Sequence, residues 1–179
     1  LGAIEDENGI VYILDQNVLV QKELEFGDDE DYEAIEYLDN RFYIMESDGD
    51  LHEFRGEDTT FGRKTETEFD KGNDVEGLGK IGNDLLVACK GKGDAGDFEA
   101  SGKGVYRIAP IGGDIIELVA DVDEEELENL LQKRHPNLDV NDFDPSAVAV
   151  NPIDQNIYLL SADMMLAIFS PEGDLIEVV

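Results

Sequence analysis

Three times the chain restarts one short phrase: an acid, a gap, a small polar or acidic residue, a small residue, then an aliphatic. The copies are Asp31-Tyr32-Glu33-Ala34-Ile35, Asp74-Val75-Glu76-Gly77-Leu78 and Asp144-Pro145-Ser146-Ala147-Val148. After a turn, each leads into an apolar run that stops at a polar residue: Phe42-Tyr43-Ile44-Met45 before Glu46, Leu85-Leu86-Val87-Ala88 before Cys89-Lys90, and Ile157-Tyr158-Leu159-Leu160 before Ser161. Leu1-Gly2-Ala3-Ile4 before Glu5 opens inside the same pattern. A supersecondary unit that recurs at about 40 residues is a repeat architecture, and short strands at that period predict propeller blades.

The expected fold is therefore an all-β propeller of four-stranded antiparallel blades. Its units span about 1–26, 31–69, 74–121 and 144–179. In the second unit the turn signals Asp39-Asn40, Asp48-Gly49 and the Gly56–Gly62 loop place strands at Glu33–Tyr37, Arg41–Met45, Asp50–Arg55 and Lys64–Phe69. The first unit reads as only the last three strands of a blade. Between the third and fourth units, Leu127, Leu130 and Leu131 form a helical stripe, with Asp123 and Glu126 as a capping pair, so an inserted helix is expected at about 123–134. The third unit is widened by a Gly-rich acidic insertion, Gly91 to Gly104, either a lid or a surface loop. Four units, one incomplete, make a short ring, so the expectation is an interior piece of a longer propeller, about four of six blades.

Charge narrows the function classes. Against 13 basic residues stand 44 acidic ones, a net charge of −31. Such a field repels phosphate backbones and anionic lipid, which disfavours nucleic-acid and membrane-surface partners. Three sources of the acidity stay open: adaptation to salt, binding of divalent cations by hard oxygen ligands, and a solvated surface without further meaning. Cys89 is the only cysteine, so neither an intrachain disulfide nor a thiolate zinc site can form. No apolar run is long enough to span a bilayer. His52 and His135 fall on separate elements, and Asp48-Gly49-Asp50 reads as a hairpin turn.

In a propeller, the loops entering each innermost strand and leaving each second strand open on one face around the axis. That topology gathers Glu33, Glu76 and Ser146 with Glu5, Glu46, Lys90 and Ser161. Converging carboxylates suit a hard cation, so Glu33 and Glu76 are the expected primary ligands, with Glu46 and Ser146 beside them. Lys90, Glu5 and Ser161 are the candidate contacts for a small ligand. A repeated acid at a strand entrance also serves as acceptor for backbone amides of the next blade, and both roles stay open.

The segments Asp31 to Tyr37, Tyr43 to Leu51, Asn73 to Leu78, Ala88 to Gly91 and Phe143 to Pro152 resemble the SdiA-regulated (YjiK-like) proteins. The resemblance implies a six-bladed propeller of the bacterial periplasm or cell envelope, often with an anchor upstream, and calcium as the recurring ligand. One branch of that family is described as phytase-like. This chain departs from the pattern at Ser146, where the other units carry Glu33 and Glu76, and at Ala34, where glycine is usual. Three function classes follow: an envelope propeller binding a divalent cation or small ligand, a calcium-dependent hydrolase of phytase-like or lactonase-like type, and a protein-interaction scaffold.

Overall fold

A computed structural model describes residues 1–137 and 142–179. The chain forms a four-blade β-propeller with one short helix, each blade a small antiparallel sheet. Blade 1 contains β1 (Gly2–Ile4), β2 (Asn8–Leu14) and β3 (Val20–Asp29). Blade 2 contains β4 (Tyr32–Leu38), β5 (Arg41–Glu46), β6 (Leu51–Arg55) and β7 (Asp58–Thr65). Blade 3 runs from β8 (Val75–Ile81) through β9 (Asp84–Cys89) and β10 (Lys103–Ile108) to β11 (Ile115–Val122). Helix α1 (Glu124–Arg134) precedes blade 4, which has β12 (Pro145–Val150), β13 (Ile157–Ser161), β14 (Leu166–Phe169) and β15 (Leu175–Val178). Within each blade, strands pair in chain order.

The blades meet through their inner strands. β4 packs on β8 and β8 on β12, while the second strands β5 and β9 also touch the inner strand of the blade that follows. This explains the apolar runs. Five successive residues of β5, Phe42–Glu46, and five of β9, Leu85–Cys89, are buried, because neighbouring blades cover both faces. Met45 and Leu51 of blade 2 share a core with Val75 and Leu78 of blade 3. Ala88 and Val105 of blade 3 share another with Val148 of blade 4. Each fully buried Leu, Met or Val contributes about 1.5–3 kcal/mol.

A repeated hydrogen bond fixes these joints. The Tyr32 amide donates to the Asp6 carbonyl, and the Val75 amide donates to the Ser47 carbonyl, so each inner strand is tied at its entrance to the preceding blade. The correspondence identifies β1 as a second strand: blade 1 holds the last three strands of a unit. At the third joint Pro145 stands in the same register and has no amide to donate. There Lys103 Nζ donates to the Phe143 carbonyl and to Asp144 at 2.8 and 2.7 Å.

The expected helix is present, with Asp123 accepting from the Glu125 and Glu126 amides, and Leu127 and Leu131 buried in the core. It ends at Arg134, before Pro136. The outermost strand of blade 2 differs from expectation. Gly56, in the left-handed region at φ 58°, and Glu57 close a tight turn, so β7 begins at Asp58 and ends at Thr65. Phe69 lies beyond it and is buried in the joint with blade 3.

Close backbone approach governs the third joint. A Cβ on Gly79 would lie 2.6 Å from the Val148 carbonyl oxygen. Gly79→Ala is therefore expected to lower unfolding stability by about 1–3 kcal/mol in urea titrations. An unchanged midpoint would show that blade 4 is free to shift away from blade 3.

Candidate functional site

All three inner strands carry a register irregularity at the same place. Pairing jumps between Tyr32 and Ala34, between Val75 and Gly77, and between Pro145 and Ala147. The residues set out of register are Glu33, Glu76 and Ser146, the variable position of the repeated phrase. A bulge bends its strand and redirects one side chain, which is how a strand entrance presents a polar group without breaking the apolar rows beyond it.

Glu33 and Glu76 hold matching positions at the entrances of the adjacent strands β4 and β8, near enough for their charges to interact, with Asp31 and Asp74 also within electrostatic reach of Glu33. The Glu33 carboxyl is pushed up to about 7, first by burial, then by the charges of Glu76 and Asp31, a hydrogen bond with Asp31, and the charge of Asp74. Glu76 has a cation of its own: Lys90 Nζ lies 2.6 Å from its Oε1 and 3.9 Å from Asp74. Lys90 is held above its usual range, chiefly by that hydrogen bond. Its ammonium thus satisfies Glu76 and leaves Glu33 facing carboxylates.

The other expected members take local duties. Ser146 Oγ donates to the Leu160 carbonyl, and Ser161 Oγ accepts from the Asp144 and Asp163 amides. Glu5 caps its turn: hydrogen bonds from the Asn8 side chain, then from the Asn8 and Glu7 amides, keep its carboxyl below the usual range. The repeated acids Asp31, Asp74 and Asp144 each offer a backbone carbonyl, to the amides of Ser47, Lys90 and Ala162.

Glu46 does not join Glu33 and Glu76. Strand alternation sends Met45 towards blade 3, so Glu46 points to the opposite face of its blade. It is buried there against His52 Nε2 at 2.5 Å and Lys64 Nζ at 2.9 Å. Burial opposes the charge on Lys64, but hydrogen bonds to Glu46 and Asp50 outweigh it and raise the lysine. Next to the same carboxylate, Tyr32 is pushed up to about 12, first by burial and then by the charge of Glu46. Glu46, Asp48 and Asp50 bring one oxygen each within 4.8 Å of one another. Lys64 already lies 2.9 Å from Asp50, so this second acidic group contains a protein cation.

Sequence reasoning missed the residue that holds the insertion. Asn73, fully buried, donates from Nδ2 to the Lys92 and Asp94 carbonyls, and its Oδ1 accepts from the Asp70 amide. Ala95 is buried, and Phe98 packs into the core between blades 2 and 3. The Gly91–Gly104 segment is thereby tied down beside Lys90. The only sequence signal was an Asn preceding one copy of the phrase.

No family model and no curated protein matches this chain. Solved structures do match, and they establish the fold. A Bacteroides caccae protein of unknown function aligns at 9% identity and TM-score 0.56, over 96% of this chain and 54% of that one. Glutaminyl cyclase from Myxococcus xanthus aligns at 9% identity and TM-score 0.58, over 96% and 67%. Virginiamycin B lyase from Staphylococcus aureus aligns at 13% identity and TM-score 0.59, over 99% and 50%. The protein therefore shares a propeller fold with these proteins and spans about half the length of the first and third.

The raised Glu33 carboxyl has a thermodynamic sign. The folded state binds its proton more tightly than the unfolded chain, so this contribution to stability is complete below about 4.5, the unfolded value, and is lost as pH rises through about 7. Glu33→Gln, which mimics the protonated group, is expected to match the wild type near pH 4 and exceed it at pH 8 in urea unfolding. Equal stability at pH 8 would mean that Glu33 is solvated and far from Glu76.

Proposed function

We propose that the protein is a ligand-binding propeller whose strand-entrance face takes up a divalent cation, calcium by the chemistry of its donors. One observation carries this reading: half-buried Glu33, directed by a bulge, faces Glu76, Asp31 and Asp74, while the neighbouring lysine is engaged by Glu76. A cation placed there would relieve the repulsion that raises the Glu33 carboxyl. The donors are all oxygens, as calcium requires. Carboxylates of Glu33 and Asp31 would supply the first donors of a shell of about six to eight, with Glu76 joining by exchanging Lys90 for the cation and carbonyls and water supplying the rest. The bacterial-envelope setting implied by the family resemblance belongs to the same proposal.

Binding is favoured over hydrolysis of phosphate esters. A phosphate-bearing substrate calls for several positively charged donors, and Lys90 is already bound to Glu76 and lies close to Asp74. The charge around Glu33 suits a cation and repels an anion.

Isothermal titration and thermal unfolding with calcium test the proposal. Calcium at 100 times its dissociation constant should stabilise the fold by about 2.7 kcal/mol. The Glu33→Gln, Glu76→Gln double variant should lose that response while remaining folded. If sodium chloride at equal ionic strength stabilises both proteins equally, the acidity acts as a diffuse field and no site exists.

A further inference from the structure

Blade 1 ends on the longest outer strand of the four blades. β3 has 10 residues, against 8 in β7, 8 in β11 and 4 in β15. It pairs with β2 on one side only, so the backbone amides and carbonyls of its other edge have no strand partner. An open groove of about 550 Å³ follows that edge, lined by every residue from Lys22 to Asp28 and completed by Glu57 and Thr59 of blade 2. Successive side chains of a strand point to opposite faces, so a groove that touches all of them runs along the edge rather than over one face.

At Phe26, Gly27 and Asp28 the groove runs into a cavity of about 240 Å³ between blades 1 and 2. Phe26, Tyr32 and Phe54 form its apolar walls, and the buried Glu46 and His52 its floor. Small-molecule pockets start at about 300 Å³, so this cavity holds a single side chain. Its charges are settled unevenly. Lys64 is bound to Glu46 and Asp50, and Lys22 in the groove to Glu57. Glu23, Glu25, Asp28 and Glu30, all exposed, take part in no ion pair among the described residues.

We infer that this groove docks an extended basic segment of a partner protein, which adds to β3 as a further strand and sends one arginine into the cavity. Each part of the seat defines a part of the occupant. The open edge pairs with the main chain of an extended segment, and nothing in β3 closes it off: no proline interrupts the strand, and its one lysine, Lys22, is turned to Glu57. Glu23 and Glu25 along the groove call for positive side chains. Asp28 and Glu30 at the cavity, beside three aromatic side chains, select a guanidinium over an ammonium, because it is planar, bonds carboxylates in pairs and lies flat on rings. A second copy of the chain fits less well, since two chains of charge −31 repel each other.

The probe is a synthetic peptide as long as β3 that alternates arginine with valine, mixed with the intact chain at physiological ionic strength. Amide exchange is expected to slow in β3 and to stay unchanged in β7, β11 and β15. Replacing the arginines by lysine should weaken binding about tenfold in calorimetry. Asp28→Asn with Glu30→Gln, at two exposed positions, should leave the melting temperature unchanged and remove that preference. The arginine peptide methylated at alternate backbone nitrogens keeps its charge and loses its main-chain donors, so it should not protect β3. Unslowed exchange in β3 would overturn the inference. Equal binding of the methylated peptide would do the same, by reducing the contact to diffuse charge. So would free arginine amide binding as tightly as the peptide, which would make the cavity a small-molecule site. A chain that sediments as a dimer with β3 already protected would assign the groove to a second copy and also overturn it.

Discussion

Everything in this propeller depends on how one inner strand lies against the blade before it. The contact has an apolar part and a polar part. Met45 and Leu51, or Ala88 and Val105, supply the apolar surface, and a hydrogen bond at the entrance, from the amide of Tyr32 or Val75 or, before Pro145, from Lys103 Nζ to the Phe143 carbonyl, sets the height of the strand. Immediately after that bond the strand bulges, which allows one residue to leave the alternation before the apolar rows resume. Position in the ring and presentation of a polar side chain are thus settled by the same few residues.

This arrangement explains how a chain of charge −31 can hold carboxylates close together. Most acids are exposed and screened by solvent ions, but those at strand entrances are fixed by backbone geometry. The protein answers them unevenly. Lys90 serves Glu76, Lys103 serves Asp144, and Lys64 serves Glu46 and Asp50. Glu33 shares a hydrogen bond with another acid, and its proton is correspondingly hard to remove.

Features tied to the repeat were legible in the sequence. The phrase around Asp31, Asp74 and Asp144 located the inner strands, and its variable position named Glu33, Glu76 and Ser146 because repetition isolates what a shared backbone presents. Features that depend on cross-strand partners were not legible. Glu46 follows an apolar run as Lys90 does, yet its environment is decided by His52 and Lys64 on the next two strands of its blade. The outer strand of blade 2 was placed too late because Phe69 reads as strand, whereas it plugs the joint with blade 3. Asn73 gave no local sign of its role, since both carbonyls it binds belong to a loop about 20 residues away.

The account rests on Glu33 being held against other carboxylates by the bulge in β4. Carbon-13 NMR of the glutamate side-chain carboxyls, followed from pH 3 to pH 9, reads this directly. The account predicts a Glu33 midpoint of about 7 in the folded protein. It also predicts a midpoint closer to the ordinary range when Glu76→Gln removes the nearest competing charge. A Glu33 midpoint near 4.5, insensitive to Glu76, would contradict it.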